Sequence, residues 1–99
     1  MAQRSGSDRR IVFTSHATRQ IRVRGITRRE VIAVANTGEV IEEYPDDVPY
    51  PSELLLSWAG ARPIHVVLAY DERDDIYFAV TAYVPDTDRW HPGFRRRKT

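Results

Sequence analysis

The sequence predicts a small α+β domain, in which two N-terminal helices pack on one face of a mostly antiparallel sheet of four to five strands. The chain has 99 residues, 41% of them hydrophobic, which is enough for one layered core and too few for two. Hydrophobic residues recur at helical spacing before residue 38 and alternate with polar residues after it. These observations predict the element order β-α-α-β-β-β-β.

The first predicted elements are an edge strand and a helix. Residues 11–14 form a short run of β-prone side chains, which suits a strand at the edge of the sheet. Ser15 is the predicted N-cap of a helix that begins at His16 and runs to about Arg24. Gly25 is expected to end this strongly basic helix, because glycine adopts the left-handed conformation freely.

A second helix is predicted after a turn at residues 25–26. Residues 27–30, Thr-Arg-Arg-Glu, match a capping box, in which the threonine and glutamate side chains satisfy backbone N–H groups at the helix start. Hydrophobic residues then recur at helical spacing, and residues 36–38, Asn-Thr-Gly, end the helix. The two helices are therefore expected to form a hairpin.

The remaining predicted elements are strands. Three prolines between residues 45 and 51 require a loop there, because proline lacks the backbone donor that a sheet needs. The later connections are short, so the last three strands are expected to form an antiparallel meander. The four strands are predicted at residues 39–44, 53–59, 64–70 and 76–83.

One folded domain is predicted at residues 10–91, between a disordered basic segment at residues 1–9 and a basic tail at residues 92–99. No run approaches the roughly 20 apolar residues that span a bilayer. The first ten residues also lack the apolar segment of a secretory signal. The expected location is therefore the cytoplasm, with no membrane partner.

Charge is segregated along the chain, although the net charge is only +1. The first 30 residues hold eight arginines against two carboxylates, residues 89–99 hold five basic residues and no acidic one, and the middle is acidic. Arginine suits bidentate contact with phosphate, so the basic ends indicate an anionic partner. The alternative is that the arginines reflect genome composition and form an ordinary solvated surface.

No metal or cofactor is expected. The chain has no cysteine, which excludes disulfides, thiolate nucleophiles and cysteine-based metal sites. The three histidines, at positions 16, 65 and 91, lack the spacing of metal ligands, and no glycine-rich phosphate-binding motif is present.

Two histidines are candidates for proton transfer. His16 lies at the start of the first helix on the face that carries Arg19, so its imidazole and the guanidinium can act together on a phosphate. The alternative is that His16 bonds to backbone at the helix terminus. His65 lies within a central strand, where the alternative to catalysis is a hydrogen-bonded core residue.

The last strand adds two hydroxyl groups. Strict alternation places Ala79, Thr81 and Tyr83 on one face. If that face is exposed, Thr81 and Tyr83 can bind a phosphate and stack on a base. If it faces the helices, they are packing residues.

The C-terminal residues interleave cations with aromatic rings. This combination neutralises phosphates and stacks on bases, as in proteins that bind single-stranded nucleic acid. The candidate RNA-binding residues are Arg22 of the first helix together with Arg89, Trp90, Arg95, Arg96 and Arg97.

Six short motifs stand at residues 14–17 (Thr-Ser-His-Ala), 24–27 (Arg-Gly-Ile-Thr), 38–45 (Gly-Glu-Val-Ile-Glu-Glu-Tyr-Pro), 62–67 (Arg-Pro-Ile-His-Val-Val), 80–83 (Val-Thr-Ala-Tyr) and 86–90 (Asp-Thr-Asp-Arg-Trp). Together they resemble the domain of unknown function 4258 family over about residues 11–97. The resemblance implies a relative of the RelE/ParE and BrnT toxin folds, often paired with a zinc-finger antitoxin of the YgiT type. It marks His16, Arg19, Arg24, His65, Thr81, Tyr83 and Trp90 as the family's polar and aromatic positions.

The expected function is a toxin that cleaves mRNA, ribosome-bound mRNA included, without a metal and is held inactive by its antitoxin. Such cleavage uses the substrate's own 2′-hydroxyl as nucleophile, so the protein needs only an acid, a base and cations. His16 or His65 is the expected acid or base. Arg19 and Arg24 are expected at the phosphate, with Tyr83 transferring a proton or stacking.

The alternative function is a non-catalytic module that binds RNA or another protein and whose histidines are structural. A small-molecule enzyme is the weakest candidate, because so short a chain encloses little pocket volume. The acidic middle suits a basic partner, either an antitoxin segment or a second copy of the chain. The ribonuclease hypothesis is strongest if Arg19 and Arg24 lie near the C-terminal arginines and form one cationic surface with them.

Overall fold

The computed structural model describes residues 9–99, in which two helices pack on one face of a five-stranded sheet. The order of elements is as predicted, and β2 and β5 have the predicted bounds. The elements are β1 (Ile11–Phe13), α1 (Ser15–Val23), α2 (Arg28–Thr37), β2 (Glu39–Tyr44), β3 (Ser52–Ala59), β4 (Arg62–Asp71) and β5 (Ile76–Tyr83).

The sheet has the strand order β1-β5-β4-β3-β2. The short strand β1 is parallel to β5, and the other neighbours are antiparallel, so the predicted meander of the last three strands is confirmed. Both β1 and β2 are edge strands. Within residues 9–99, no helix has the length and apolar character needed to cross a membrane.

The first helix begins one residue earlier than predicted. Thr14, not Ser15, is the N-cap, and its Oγ1 accepts a hydrogen bond from the Ala17 N–H at 3.0 Å. The physical reason is that Thr14 still has the extended backbone of the preceding strand, which the capping geometry requires, whereas Ser15 is already helical. Gly25 follows the helix with φ of +70°, the left-handed conformation expected of it.

The predicted capping box of α2 is present. The Thr27 hydroxyl accepts from the Glu30 N–H and the Glu30 carboxylate accepts from the Thr27 N–H, each at 3.0 Å. Arg62 of β4 donates to both carboxylate oxygens of Glu30 at 2.8 Å and to the Gly25 carbonyl at 3.1 Å. These bonds hold the turn between the helices against the sheet.

The core lies between the helices and one sheet face. Its side chains come from the inner faces of the helices and from alternate positions of the central strands, as the predicted packing requires. The buried cluster contains Ile21, Ile26, Val31, Val34, Ala35, Leu55, Ile64, Val66, Leu68, Ala79 and Ala82.

A β-bulge interrupts β5 and corrects its predicted alternation. Thr81 pairs with Val67 and Ala79 pairs with the next residue of β4, so Val80 has no partner of its own there. As a result Ala79 and Ala82 both enter the core although they are three residues apart. Strict alternation, which placed Ala79 on the face of Tyr83, is therefore wrong, because the extra residue changes the phase of the strand.

The segment after β5 folds back over the other face of the sheet. Trp90 and Arg97 form an antiparallel bridge, the His91 N–H donates to the Arg96 carbonyl, and the Lys98 N–H donates to the Arg89 carbonyl. We call residues 89–98 the C-terminal hairpin. Residues 92–99 were predicted as a tail beyond the domain, and most of them belong to this hairpin.

Arg9, which was predicted to belong to the disordered N-terminal segment, is the first described residue. Residues 1–8, which hold most of the predicted disordered segment, are outside the described residues. The Arg9 N–H donates to the Asn36 side chain at 2.9 Å, and its guanidinium lies over the Tyr77 ring. Arg9 is thus in contact with the domain.

Candidate functional site at the end of the last strand

The densest group of predicted site residues surrounds Tyr83, at the C-terminal end of β5. His65 of β4 lies opposite Tyr83 in the sheet, and their rings meet edge to face with centroids 5.3 Å apart. Trp90 of the C-terminal hairpin meets the His65 ring in the same way at 4.5 Å. We call the group formed by Arg24, His65, Tyr83, Trp90 and Arg97 the Tyr83 site.

Hydrogen bonds fix the tautomer of His65. Its Nε2 lies 2.9 Å from the Phe94 carbonyl oxygen, and its Nδ1 lies 3.4 Å from the Tyr83 hydroxyl. Because a carbonyl oxygen can only accept, Nε2 carries the hydrogen. In the neutral ring, Nδ1 is therefore the acceptor for the Tyr83 hydroxyl.

His65 is held neutral by its surroundings. Its side chain is fully buried, and this burial lowers the pKa of His65, although the Phe94 carbonyl and the nearby Glu42 carboxylate oppose the shift. A residue with no exposed surface cannot touch a substrate directly. Any role of His65 in chemistry must therefore pass through Tyr83.

Tyr83 is half-buried and protonated at neutral pH. Burial raises the pKa of Tyr83, while the positive charges of Arg97 and Arg24 oppose the rise. The hydroxyl is thus a neutral donor close to two permanent cations. These cations would stabilise the tyrosinate if the proton were transferred.

Arg24 reaches the site around the open edge of β5. The parallel strand β1 pairs with β5 only as far as Ala79, so the edge beyond that residue lacks a neighbouring strand. Arg24, at the end of α1, donates from Nη1 to the Ala82 carbonyl at 2.7 Å and to the Thr81 hydroxyl at 3.3 Å. The Thr81 hydroxyl in turn donates to the Gln20 side chain. The rest of the Arg24 guanidinium remains exposed.

Arg97 connects the site to the acidic strand β2. Its guanidinium donates to both carboxylate oxygens of Glu42, at 2.8 and 3.1 Å, and lies over the Trp90 ring. Burial acts to raise the pKa of Glu42, but hydrogen bonds from Arg97 and Tyr44 outweigh it and lower this pKa. The carboxylate also raises the pKa of Arg97. Both partners are therefore charged at neutral pH.

The C-terminal arginines divide into two groups. Arg97 and Arg95 point toward the sheet, where Arg95 donates to Glu39 at 2.7 Å. Arg89 and Arg96 are exposed and form no ion pair with any residue of 9–99. The acidic strand predicted to attract a basic partner is thus neutralised in part by the chain's own arginines.

The other predicted residues lie outside the Tyr83 site. His16, Arg19 and Arg22 are exposed on α1, and no contact among the described residues joins them to Tyr83. Of the twelve predicted positions, the structure therefore groups Arg24, His65, Thr81, Tyr83, Trp90 and Arg97 around one strand end.

Three residues at the site were not singled out in the sequence. Gln20 precedes Arg24 by one helical turn, so the spacing of α1 could have indicated it. The only sequence feature that could have indicated Glu42 as a site residue is the acidic character of β2. Phe94 acts through its backbone carbonyl, which no side-chain pattern reveals.

Neither of two cavities in the described part of the chain has a residue of the Tyr83 site in its wall. These cavities, of about 290 and 470 Å³, lie at the other end of β4 and have Tyr70 and Pro51 in both walls. Residues 9–99 contain no group of three or more His, Asp or Glu side chains arranged to hold a metal ion.

Comparison with curated proteins and with solved structures gives no significant match. A family model described as domain of unknown function (DUF4258) matches residues 13–84, well over half of the chain. The matched region includes His65, Thr81 and Tyr83 and ends before the C-terminal hairpin. The chain therefore belongs to the DUF4258 family.

Proposed function

We propose that the protein is a metal-independent endoribonuclease with a RelE-like fold, which acts in the cytoplasm as the toxin of a type II toxin–antitoxin pair. The observation that carries the proposal is the Tyr83 hydroxyl, a protonated donor bound to a neutral buried histidine and close to two guanidinium groups. An acid beside cations is what cleavage of a phosphodiester requires.

The proposed reaction uses the 2′-hydroxyl of RNA as the nucleophile. This oxygen attacks the adjacent phosphorus and loses its proton to solvent, the bond to the 5′-oxygen breaks, and a 2′,3′-cyclic phosphate and a 5′-hydroxyl form. The Tyr83 hydroxyl turns its one hydrogen from His65 Nδ1 to the departing 5′-oxygen, donates this proton and regains one from solvent. Arg24 binds the phosphate, whose added negative charge a guanidinium stabilises.

His65 and Arg97 support Tyr83 in this proposal. His65 holds the Tyr83 hydroxyl in the site through Nδ1 until the hydroxyl turns to the substrate, and Arg97 stabilises the tyrosinate that forms when the proton is transferred. His65 is therefore a positioning residue and not the acid or base itself. His16 and Arg19 lie outside the Tyr83 site and are proposed to contact the RNA further along the strand.

The toxin part of the proposal starts from membership of the DUF4258 family. The resemblance described from the sequence motifs implies that this family is related to the RelE/ParE and BrnT toxin folds. A toxin needs a partner that blocks its site, and we propose an antitoxin, of the zinc-finger type, that covers the surface around Tyr83. A second copy of the chain is the alternative occupant of this surface.

The test is cleavage of a single-stranded RNA by the purified protein in excess EDTA. We expect products with cyclic phosphate and 5′-hydroxyl ends. The Tyr83→Phe variant is expected to cleave about 100-fold or more slowly, because loss of a positioned acid has an effect of this order. The matched control is Tyr77→Phe, which removes a hydroxyl from the same strand outside the Tyr83 site.

Expression in cells gives a second readout. We expect growth arrest with the wild-type chain and with Tyr77→Phe, and growth with Tyr83→Phe. Intact RNA in the purified reaction, or equal cleavage by Tyr83→Phe and wild type, would rule out this mechanism.

Non-catalytic RNA binding is the second candidate function. The observation that favours it is the complete burial of His65, which is common for a structural histidine. Exposed arginines without ion pairs bind RNA in either case. Salt-sensitive RNA binding without turnover or growth arrest would establish this alternative.

A further inference from the structure

Trp58 is an exposed aromatic residue beside the Tyr83 site. It lies near the end of β3, and 46% of its surface is accessible, whereas the other tryptophan, Trp90, is 3% accessible. The remaining large hydrophobic residues that are exposed in residues 9–99 are aliphatic. A half-exposed indole beside a candidate site has a ring face on which another ring can stack, so its surroundings are informative.

The indole is held in place from one side. Its ring meets the Phe94 ring edge to face, with centroids 5.9 Å apart and planes at 67°. Phe94 is itself fixed, because its N–H donates to the His91 carbonyl at 2.8 Å and its carbonyl accepts from His65 at 2.9 Å. A ring ordered in advance loses little entropy when a second ring stacks on it.

The strand register places Trp58 on the same sheet face as the His65–Tyr83 pair. His65 lies opposite Leu56 on one side and Tyr83 on the other, and Trp58 is two residues beyond Leu56. Two strand spacings and two residues along the strand put the Trp58 and Tyr83 backbones about 12 Å apart. A short stretch of single-stranded nucleic acid can therefore reach both.

The charges nearby favour an anionic polymer. Arg96 and Lys98 are exposed on the C-terminal hairpin and form no ion pair with any described residue. They follow Phe94, which contacts the Trp58 ring, by two and four residues. Cations on the same surface as an aromatic ring bind single strands, with phosphates on the cations and bases on the ring. A duplex keeps its bases stacked inside, so it offers no face to the indole.

We propose that Trp58 is a platform on which one unpaired base of single-stranded RNA stacks while the strand passes Tyr83. This proposal rests on the proposed function, because it specifies unpaired RNA as the substrate class of that function. It does not require cleavage, because stacking occurs before any bond is broken.

The experiment is a fluorescence titration with a 2′-O-methylated single-stranded RNA oligonucleotide, which cannot be cleaved because its 2′-oxygen is blocked. We expect saturable quenching of tryptophan emission in the wild-type protein. Trp58→Ala is expected to weaken binding by roughly 5- to 150-fold, since stacking on an aromatic ring contributes this much. Trp58→Phe is expected to lose the quenching but retain most of the affinity, because a phenyl ring still stacks.

Two controls keep the platform and the proposed function separate. Tyr77→Phe, a change on the same strand outside the Tyr83 site, should bind and quench as the wild type does. Binding is measured on an RNA that cannot be cleaved, so loss of cleavage in any variant does not affect the platform. If cleavage fails in the EDTA assay while quenching persists, the platform stands and the proposed nuclease activity does not.

Three outcomes would overturn the platform. They are unchanged affinity in Trp58→Ala, equal quenching by the corresponding duplex, and a wild-type dimer that Trp58→Ala converts to a monomer in sedimentation. The last outcome would mean that a second copy of the chain covers Trp58.

Discussion

At the scale of single residues, His65 shows how burial decides the chemistry of a side chain. Its ring is enclosed by Trp90 and Tyr83 and has a hydrogen-bond partner at each nitrogen. The sequence identified His65 as either a catalyst or a core residue. The choice depends on Trp90 and Phe94, which lie far along the chain, and no local pattern contains that information.

The lowered pKa of His65 makes stability depend on pH. The unfolded chain has an ordinary histidine pKa of about 6.5, so as the pH falls through this value the unfolded state takes up a proton that the folded state resists. We expect the free energy of unfolding to be greatest above pH 7 and to decrease between pH 7 and pH 5.5. Urea denaturation at a series of pH values measures this change.

Substitution separates the contribution of His65 to the pH dependence of the free energy of unfolding from the contributions of the other titrating groups. His65→Gln is expected to flatten the decrease between pH 7 and pH 5.5, whereas His16→Gln, at an exposed position, should retain it. The carboxylates of Glu30 and Glu42 have lowered pKa values, so their effect comes at lower pH. A wild-type slope in His65→Gln would contradict the assignment.

At the scale of elements, the start of α1 depends on Thr14. Its hydroxyl accepts from the Ala17 N–H, whereas Ser15, the residue predicted to cap the helix, is exposed and already helical. We expect Thr14→Ala to lower the free energy of unfolding by about 1 kcal/mol, and Ser15→Ala to change it by less than about 0.5 kcal/mol. Urea denaturation of the two variants compares them directly, and equal losses would contradict the assignment.

The elements themselves follow from local patterns. Alternation gave the bounds of β2 and β5, and the Thr27–Glu30 box marked the start of α2. The bulge at Val80 was not predicted. In a bulge, two residues of one strand lie opposite a single residue of the neighbouring strand, and the hydrophobic pattern of β5 alone does not reveal this pairing. Gly25 was predictable because few residues adopt a positive φ at the end of a helix.

At the scale of the whole molecule, the cations form two surfaces and not one. Arg19 and Arg22 are on the helices that cover one sheet face, and Arg89 and Arg96 are on the hairpin that covers the other. Arg24 lies at the β5 edge between them. The ribonuclease hypothesis therefore depends on the Tyr83 site, since the basic residues of α1 and of the C-terminal hairpin do not form one continuous surface within residues 9–99. Trp58 was not predicted as a site residue, because its exposed fraction depends on how much of β3 the C-terminal hairpin covers.

RNA binding should show which surface is used. Each phosphate contact that is lost reduces the slope of log affinity against log salt by about 0.7 for a single strand. We expect Arg96→Ala to reduce the slope by about this amount. Arg22→Ala is expected to reduce it as well if the bound RNA continues over α1. The control is Arg73→Ala, in an exposed turn between β4 and β5 among acidic residues. A reduction in Arg73→Ala equal to that in Arg96→Ala would mean that binding is non-specific.

The boundary of the family match has a chemical consequence. His65 and Tyr83 lie inside residues 13–84, whereas Trp90, Phe94 and Arg97, which enclose them, lie outside. A chain that carries His65 and Tyr83 but has a different C-terminal segment would lack the burial that keeps this histidine neutral. Exchange of the hairpin would therefore change the proton chemistry of the site while the strands that carry both residues stay the same.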